Sequence, residues 1–179
     1  MSSVPLASLR RLARKRPVAA GCDMCSAPIG EAHDHVADLR RRALLCTCRP
    51  CHLLFAGPGT QVHYRAVPSR YRAVSFSLDV PVGLYFVFHD SASGEAVVCY
   101  PGPAGATESS AVTGLSLPDL QPDVEAVLVH DGDAFVVPID VCYELTGRLR
   151  RVWRGFDGGR EAREEIKRLI TRVRERSAT

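Results

Sequence analysis

The chain has 179 residues, 46% of them hydrophobic, with 23 basic against 20 acidic side chains and a formal charge of +3. That apolar content suffices to bury a core as one compact domain, or one domain with a small annex, and excludes a disordered chain. No apolar run approaches the roughly 20 residues that cross a bilayer, and the basic start SLRRLARKR lacks the apolar stretch of a secretory signal, so a cytoplasmic protein is expected.

Residues 1–20 read as a basic arm: Leu6, Leu9 and Leu12 share one side of a short helix, with Arg10, Arg11, Arg14 and Lys15 elsewhere. Residues 21–60 hold five of the seven cysteines and end in the Gly/Pro punctuation AGPGT, a domain boundary. Residues 61–179 read as an α+β domain. Val74, Phe76 and Leu78 alternate with small residues in an amphipathic strand, and GLYFVFH at 83–89, apolar on both faces, reads as a central strand paired to EAVVCY at 95–100. The small-residue stretch PGPAGATESS at 101–110 is expected to be a loop; it has the look of a phosphate cradle but lacks the lysine of one. VEAVLVH and AFVVP form a second hairpin about Asp131-Gly132-Asp133, completing a mainly antiparallel sheet over about 71–138. Two C-terminal helices follow. One covers about 141–153, with Asp140 as its cap and Leu145, Leu149, Val152 and Trp153 on one face. The other covers about 160–176, with Ile166, Leu169, Ile170 and Val173 at i, i+3, i+4 and i+7.

Charge is segregated along the chain. Residues 1–72 carry 12 basic and 4 acidic side chains, residues 73–140 none and 10, and residues 141–179 carry 11 and 6. Two faces of opposite sign, suited to steering a partner, are the expectation. The Arg148, Arg150, Arg151 and Arg154 cluster beside Trp153 allows a nucleic-acid contact, against which stands an acidic middle that repels phosphate.

The cysteines are spaced Cys22-x2-Cys25 and Cys46-x-Cys48-x2-Cys51, with 22 residues between Cys25 and Cys48. Two C-x2-C turns each point a sulfur pair at one ion and together complete a tetrahedron. A segment this short cannot order itself by burial alone, whereas structural zinc contributes on the order of 10–16 kcal/mol. Cys22, Cys25, Cys48 and Cys51 are therefore the expected ligands, with Cys46 the alternative because its strand position turns less easily towards the ion. RALL reads as a strand, and Pro50 suits the first turn of a helix through HLLF, the order of a zinc-ribbon or treble-clef site. Zinc is the expected metal, with iron of rubredoxin type as alternative; Ser26 and His52 stand where rubredoxin knuckles usually carry glycine. A closed thiolate set keeps no position for water, so catalysis there is not expected. His33, Asp34 and His35 read as a solvated connecting loop, and Cys99 and Cys142 as inert core thiols. No nucleophile, base and orienting group come together, so the chain is not expected to be an enzyme.

The runs CDMCSAPIGEAHDHVADLRRRALLCTCRPCHLLF, YPGPAGATES, PDVEAVLV and VPIDVCYELTGRLRRVWRGFDGG resemble an uncharacterised actinobacterial family of cysteine-knuckle proteins encoded near nickel–iron hydrogenases. The resemblance implies, by association alone, an accessory role in hydrogenase assembly or maturation. The combined expectation is a zinc knuckle packed on an α+β domain that binds a protein partner. The rivals are an iron electron carrier and a zinc-ribbon nucleic-acid-binding regulator.

Overall fold

The computed structural model describes residues 21–57, 63–80, 82–102, 107–155 and 157–178; the expected basic arm at 1–20 lies outside them. Among the described residues nine strands and three helices build an α+β fold from two antiparallel sheets. The smaller sheet has the order β2-β1-β3, from β1 (Asp34–Asp38), β2 (Ala43–Thr47) and β3 (Tyr64–Ala66), with the short helix α1 (Arg49–Leu53) after β2. The larger has six strands in the order β4-β9-β8-β5-β6-β7. They are β4 (Arg72–Val74), β5 (Leu84–Asp90), β6 (Glu95–Pro101), β7 (Thr107–Val112), β8 (Glu125–His130) and β9 (Asp133–Pro138). Helices α2 (Ile139–Val152) and α3 (Gly159–Ser177) close the chain.

Period two explains how the large sheet divides its side chains. Along β5, Leu84 and Phe86 enter one core with Ala126, Leu128, Phe135 and Val137, while Tyr85 and Val87 enter a second with Val98, Val127, Val129 and Val136. The first core is covered by α2 and α3 through Leu145, Leu149, Leu169, Ile170 and Val173, the helical faces expected from their spacing. Ala37 and Val67 belong to the same core, so the small sheet packs on the large one rather than hanging from it. The second core is covered by irregular chain: Phe76, Leu78 and Val80 leave the ladder after Val74 and lie across it, with Leu115, Leu117 and Leu120. The Tyr85 hydroxyl accepts the Leu78 N–H at 2.9 Å, which satisfies an amide the shortened strand leaves unpaired.

Four strands depart from the sequence expectation, the first being β4, which ends at Val74 although Phe76 and Leu78 continue its alternation. Residues 107–112 pair with β6 instead of forming a loop, from Ala96 opposite Val112 to Pro101 opposite Thr107. TESSAV carries little apolar signal because β7 is an edge strand. Residues 103–106, the centre of the phosphate-like stretch, lie outside the described residues, and a strand, not a helix, follows them. β1 and β3 were equally silent: DHVAD and YRA hold one fully buried residue between them, Val36.

The segregated charges meet inside the fold. Arg42, Arg65 and Arg70 of the basic first segment reach Asp90 at 2.9 Å, Asp123 at 2.9 Å and Glu125 at 2.6 Å in the acidic middle. On the helices Arg148 pairs with Glu144 and Glu165, and Arg172 with Glu144. The alternation along the chain therefore serves internal pairing, which weakens the expectation of two opposed faces. No helix among the described residues is long and apolar enough to cross a membrane.

Candidate metal centre

The first cysteine pair sits on a tight turn. The Cys22 N–H donates to the Ala27 carbonyl and the Ser26 N–H to the Cys22 carbonyl, both at 2.8 Å, which curls the chain so that both thiols face one side. Ser26 takes φ +61°, the left-handed conformation that completes this curl at some cost to a residue with a Cβ. The second pair comes from a strand running into a helix start. Cys48 is the extended residue before α1, Pro50 occupies the first turn where no amide is needed, and Cys51 follows one turn later.

These two supports bring Cys22, Cys25, Cys48 and Cys51 together, with all four sulfurs within 4.8 Å of one another. The Cys25 and Cys48 sulfurs are 3.6 Å apart. A disulfide needs about 2.05 Å, whereas two thiolates on one tetrahedral zinc ion stand about 3.8 Å apart for a bond of about 2.3 Å. The spacing fits a shared ion, and all seven cysteines are free thiols. The cluster can hold a metal ion, and its four-sulfur donor set leaves no protein-free position in a tetrahedron.

The thiols are electrostatically unequal. The Cys22 thiol is lowered to about 6, chiefly by a hydrogen bond from the Cys48 backbone amide and against the opposing effect of burial. Cys51 is pushed up to about 12 by hydrogen bonds with the Cys25 and Cys48 thiols and then by burial. Four sulfurs crowded together cannot all ionise without a cation. Cys99 is raised to about 11 by burial, and burial also holds Cys142 well above the ordinary thiol value, as expected of core thiols.

Cys46 lies outside the four-sulfur cluster. It stands directly opposite His35 across the β1–β2 pair, and the donor atoms of His33, His35 and Cys46 all fall within 4.8 Å of one another. The expectation of a solvated loop for His33–His35 is thereby overturned: Asp34 and His35 begin a strand, and both histidines are half-buried. Asp140 also departs from expectation. It makes no capping bond to α2, whose preceding residue is Pro138; its carboxylate instead accepts the His35 Nδ1–H at 2.8 Å. His52, next to Cys51, is buried with its Nε2 3.0 Å from the Val67 carbonyl, anchoring α1 to the end of β3. The signal for these contacts was in HDHVAD, where His33 and His35 sit two apart and share a face once the segment is extended.

The chain belongs to a family of unknown function (DUF5947), whose model matches residues 21–177 and so spans every residue of both clusters. No curated protein and no solved structure matches the chain.

Proposed function

We propose that the protein is a zinc-stabilised accessory factor that acts by binding another protein. The observation that carries this reading is the convergence of Cys22, Cys25, Cys48 and Cys51 from two separate turns, a closed donor set whose role is to order chain rather than to activate water. Zinc is favoured over iron because Ser26 and His52 follow the two knuckles where rubredoxin knuckles usually carry glycine.

Apolar side chains reach the surface in two places, just after Cys51 and on α2. Leu53 and Leu54, at the end of α1, are 54% and 65% exposed, and Tyr143 on α2 is 48% exposed. Between the small sheet and the large one lies a cleft of about 610 Å³ walled by Leu39, Leu44, Phe88 and Val97, with Tyr143 and Arg150 on its rim. An exposed leucine pair and, separately, an apolar cleft with an exposed tyrosine are the chemistry of a protein contact. The Arg148 side chain, by contrast, is engaged by Glu144 and Glu165, which takes one member of the helical arginine cluster away from phosphate.

The family resemblance makes a hydrogenase subunit precursor or maturation factor the first partner to test. Tagged protein should retain such a partner, and Leu53→Ser with Leu54→Ser should abolish retention without loss of bound zinc. No association, or association indifferent to those changes, refutes the partner-binding surface. A coloured preparation carrying stoichiometric iron refutes zinc.

A further inference from the structure

The four-sulfur cluster does not use Cys46, His33 or His35, yet these three are placed with more care than spare residues need. His35 and Cys46 are paired in register across β1 and β2, so their side chains leave the same face of the sheet side by side. His33, two residues before His35, has its ring 4.8 Å from the His35 ring, centroid to centroid. One ring nitrogen of each histidine and the Cys46 sulfur lie within 4.8 Å of one another.

The hydrogen bonds define which nitrogens remain. The His33 Nδ1–H donates to the Gly30 carbonyl at 2.9 Å, and the His35 Nδ1–H donates to Asp140 Oδ2 at 2.8 Å. A carbonyl and a carboxylate only accept, so each neutral ring carries its proton on Nδ1 and its lone pair on Nε2. Among the described residues the buried His33 Nε2 finds no hydrogen-bond partner, nor does the second oxygen of Asp140, Oδ1. Buried orphan acceptors are costly unless something positive meets them. A carboxylate on the far nitrogen of a histidine is the arrangement that fixes metal-binding imidazoles and raises their basicity.

We propose that His33, His35 and Cys46 form a second metal site, for a borderline-soft divalent ion of the zinc class, bound through two Nε2 atoms and one thiolate. Three protein donors leave the fourth position to water or to a donor from another molecule, in contrast to the closed four-sulfur set. Donors bound at about 2.0–2.3 Å in a tetrahedron lie roughly 3.3–3.8 Å apart, so loading the site draws the three side chains together from their present spacing, within 4.8 Å for one ring nitrogen of each histidine and the sulfur. Asp140 is the positioning residue: it holds the His35 ring from α2 and ties the site to the large domain. The inference stands independently of the partner-binding role.

The test titrates the full-length, reduced, metal-free protein with Co²⁺ and with Zn²⁺, reading stoichiometry by native mass spectrometry and the cobalt spectrum by absorption. Two ions per chain are expected, one giving the intense charge-transfer bands of four thiolates and one the weaker band of a single thiolate. His33→Gln and Cys46→Ala should each hold one ion and keep the four-thiolate bands unchanged. Asp140→Asn should weaken the second ion roughly 10- to 100-fold while leaving the first. Saturation of the wild type at one ion, or a second ion that survives both His33→Gln and Cys46→Ala, overturns the proposal.

Discussion

Asp23 and Cys46 hold each other reciprocally: the Asp23 N–H donates to the Cys46 carbonyl at 2.8 Å, and the Cys46 N–H donates to Asp23 Oδ2 at 2.7 Å. Asp23 lies inside the first C-x2-C turn and Cys46 on β2, so this pair fastens one cysteine turn to the strand that delivers the other. Asp23→Ala removes the side-chain half of the clasp. A loss of about 1 kcal/mol is expected, because the bond is charge-assisted but exposed. Urea unfolding of the zinc-loaded protein checks it, and a midpoint unchanged from wild type counts against the clasp.

Serine at Cys22, Cys25, Cys48 or Cys51 should release the first metal and unfold the small sheet while the six-stranded sheet survives. Among the described residues the large core draws on the small sheet and its flank through Ala37 and Val67, with Leu39 and Leu44 partly buried against it. Hydrogen exchange should therefore show protection lost across β1–β3 and kept across β5, β8 and β9. Uniform loss of protection would make the two sheets one cooperative unit.

Zinc affinity should rise with pH. Cys22 ionises at about 6, but Cys51 does so only near 12, so around neutrality the free cluster still carries protons that the metal must displace. Protons are thus bound in the metal-free state and released in the loaded one, and raising pH favours the loaded state. Calorimetry in buffers of different ionisation enthalpy should record proton release on zinc binding. Absence of release would mean the thiols are already ionised.

Glu125 is fully buried and accepts Arg70 Nε and a terminal guanidinium nitrogen at 2.8 and 2.6 Å, with the Gln121 N–H at 2.7 Å. Arg70→Met strands that carboxylate, and a loss of about 3 kcal/mol is expected, the lower end for a broken buried pair because the arginine itself is partly exposed. Arg70→Met combined with Glu125→Gln should recover part of the loss. Equal stability of the single and double variants would contradict the account.

Gly158 has φ +80°, and a Cβ there would stand 3.0 Å from the Trp153 ring and from the Ala162 Cβ. Gly158→Ala should lower the melting temperature, since both the left-handed backbone and the contact oppose it; a loss of about 1–2 kcal/mol is expected. Melting at the wild-type temperature would show that α2 and α3 can be joined another way.

The sequence carried the parts of the fold that repeat. Apolar runs bounded by turns identified β5, β6, β8 and β9, helical period identified both long helices, and the Asp131-Gly132 turn, with φ of +49° and +92°, is what that dipeptide predicts. The four clustered thiols were legible because metal spacing is local. What escaped were elements whose reason lies elsewhere in the chain: β7 is polar because it is an edge, and β1 carries Asp34 and His35, whose partners Arg49 and Asp140 lie outside the strand. Asp140 and His35 are 105 residues apart in sequence, so no local pattern relates them. The charge blocks misled for the same reason, since their partners lie across the fold.

The most direct test of the central claim is X-ray absorption at the zinc edge on protein carrying its first equivalent of metal. A shell of four sulfurs at about 2.3 Å is predicted. A first-bound zinc with nitrogen or oxygen among its ligands, or a protein that retains no zinc, would contradict it.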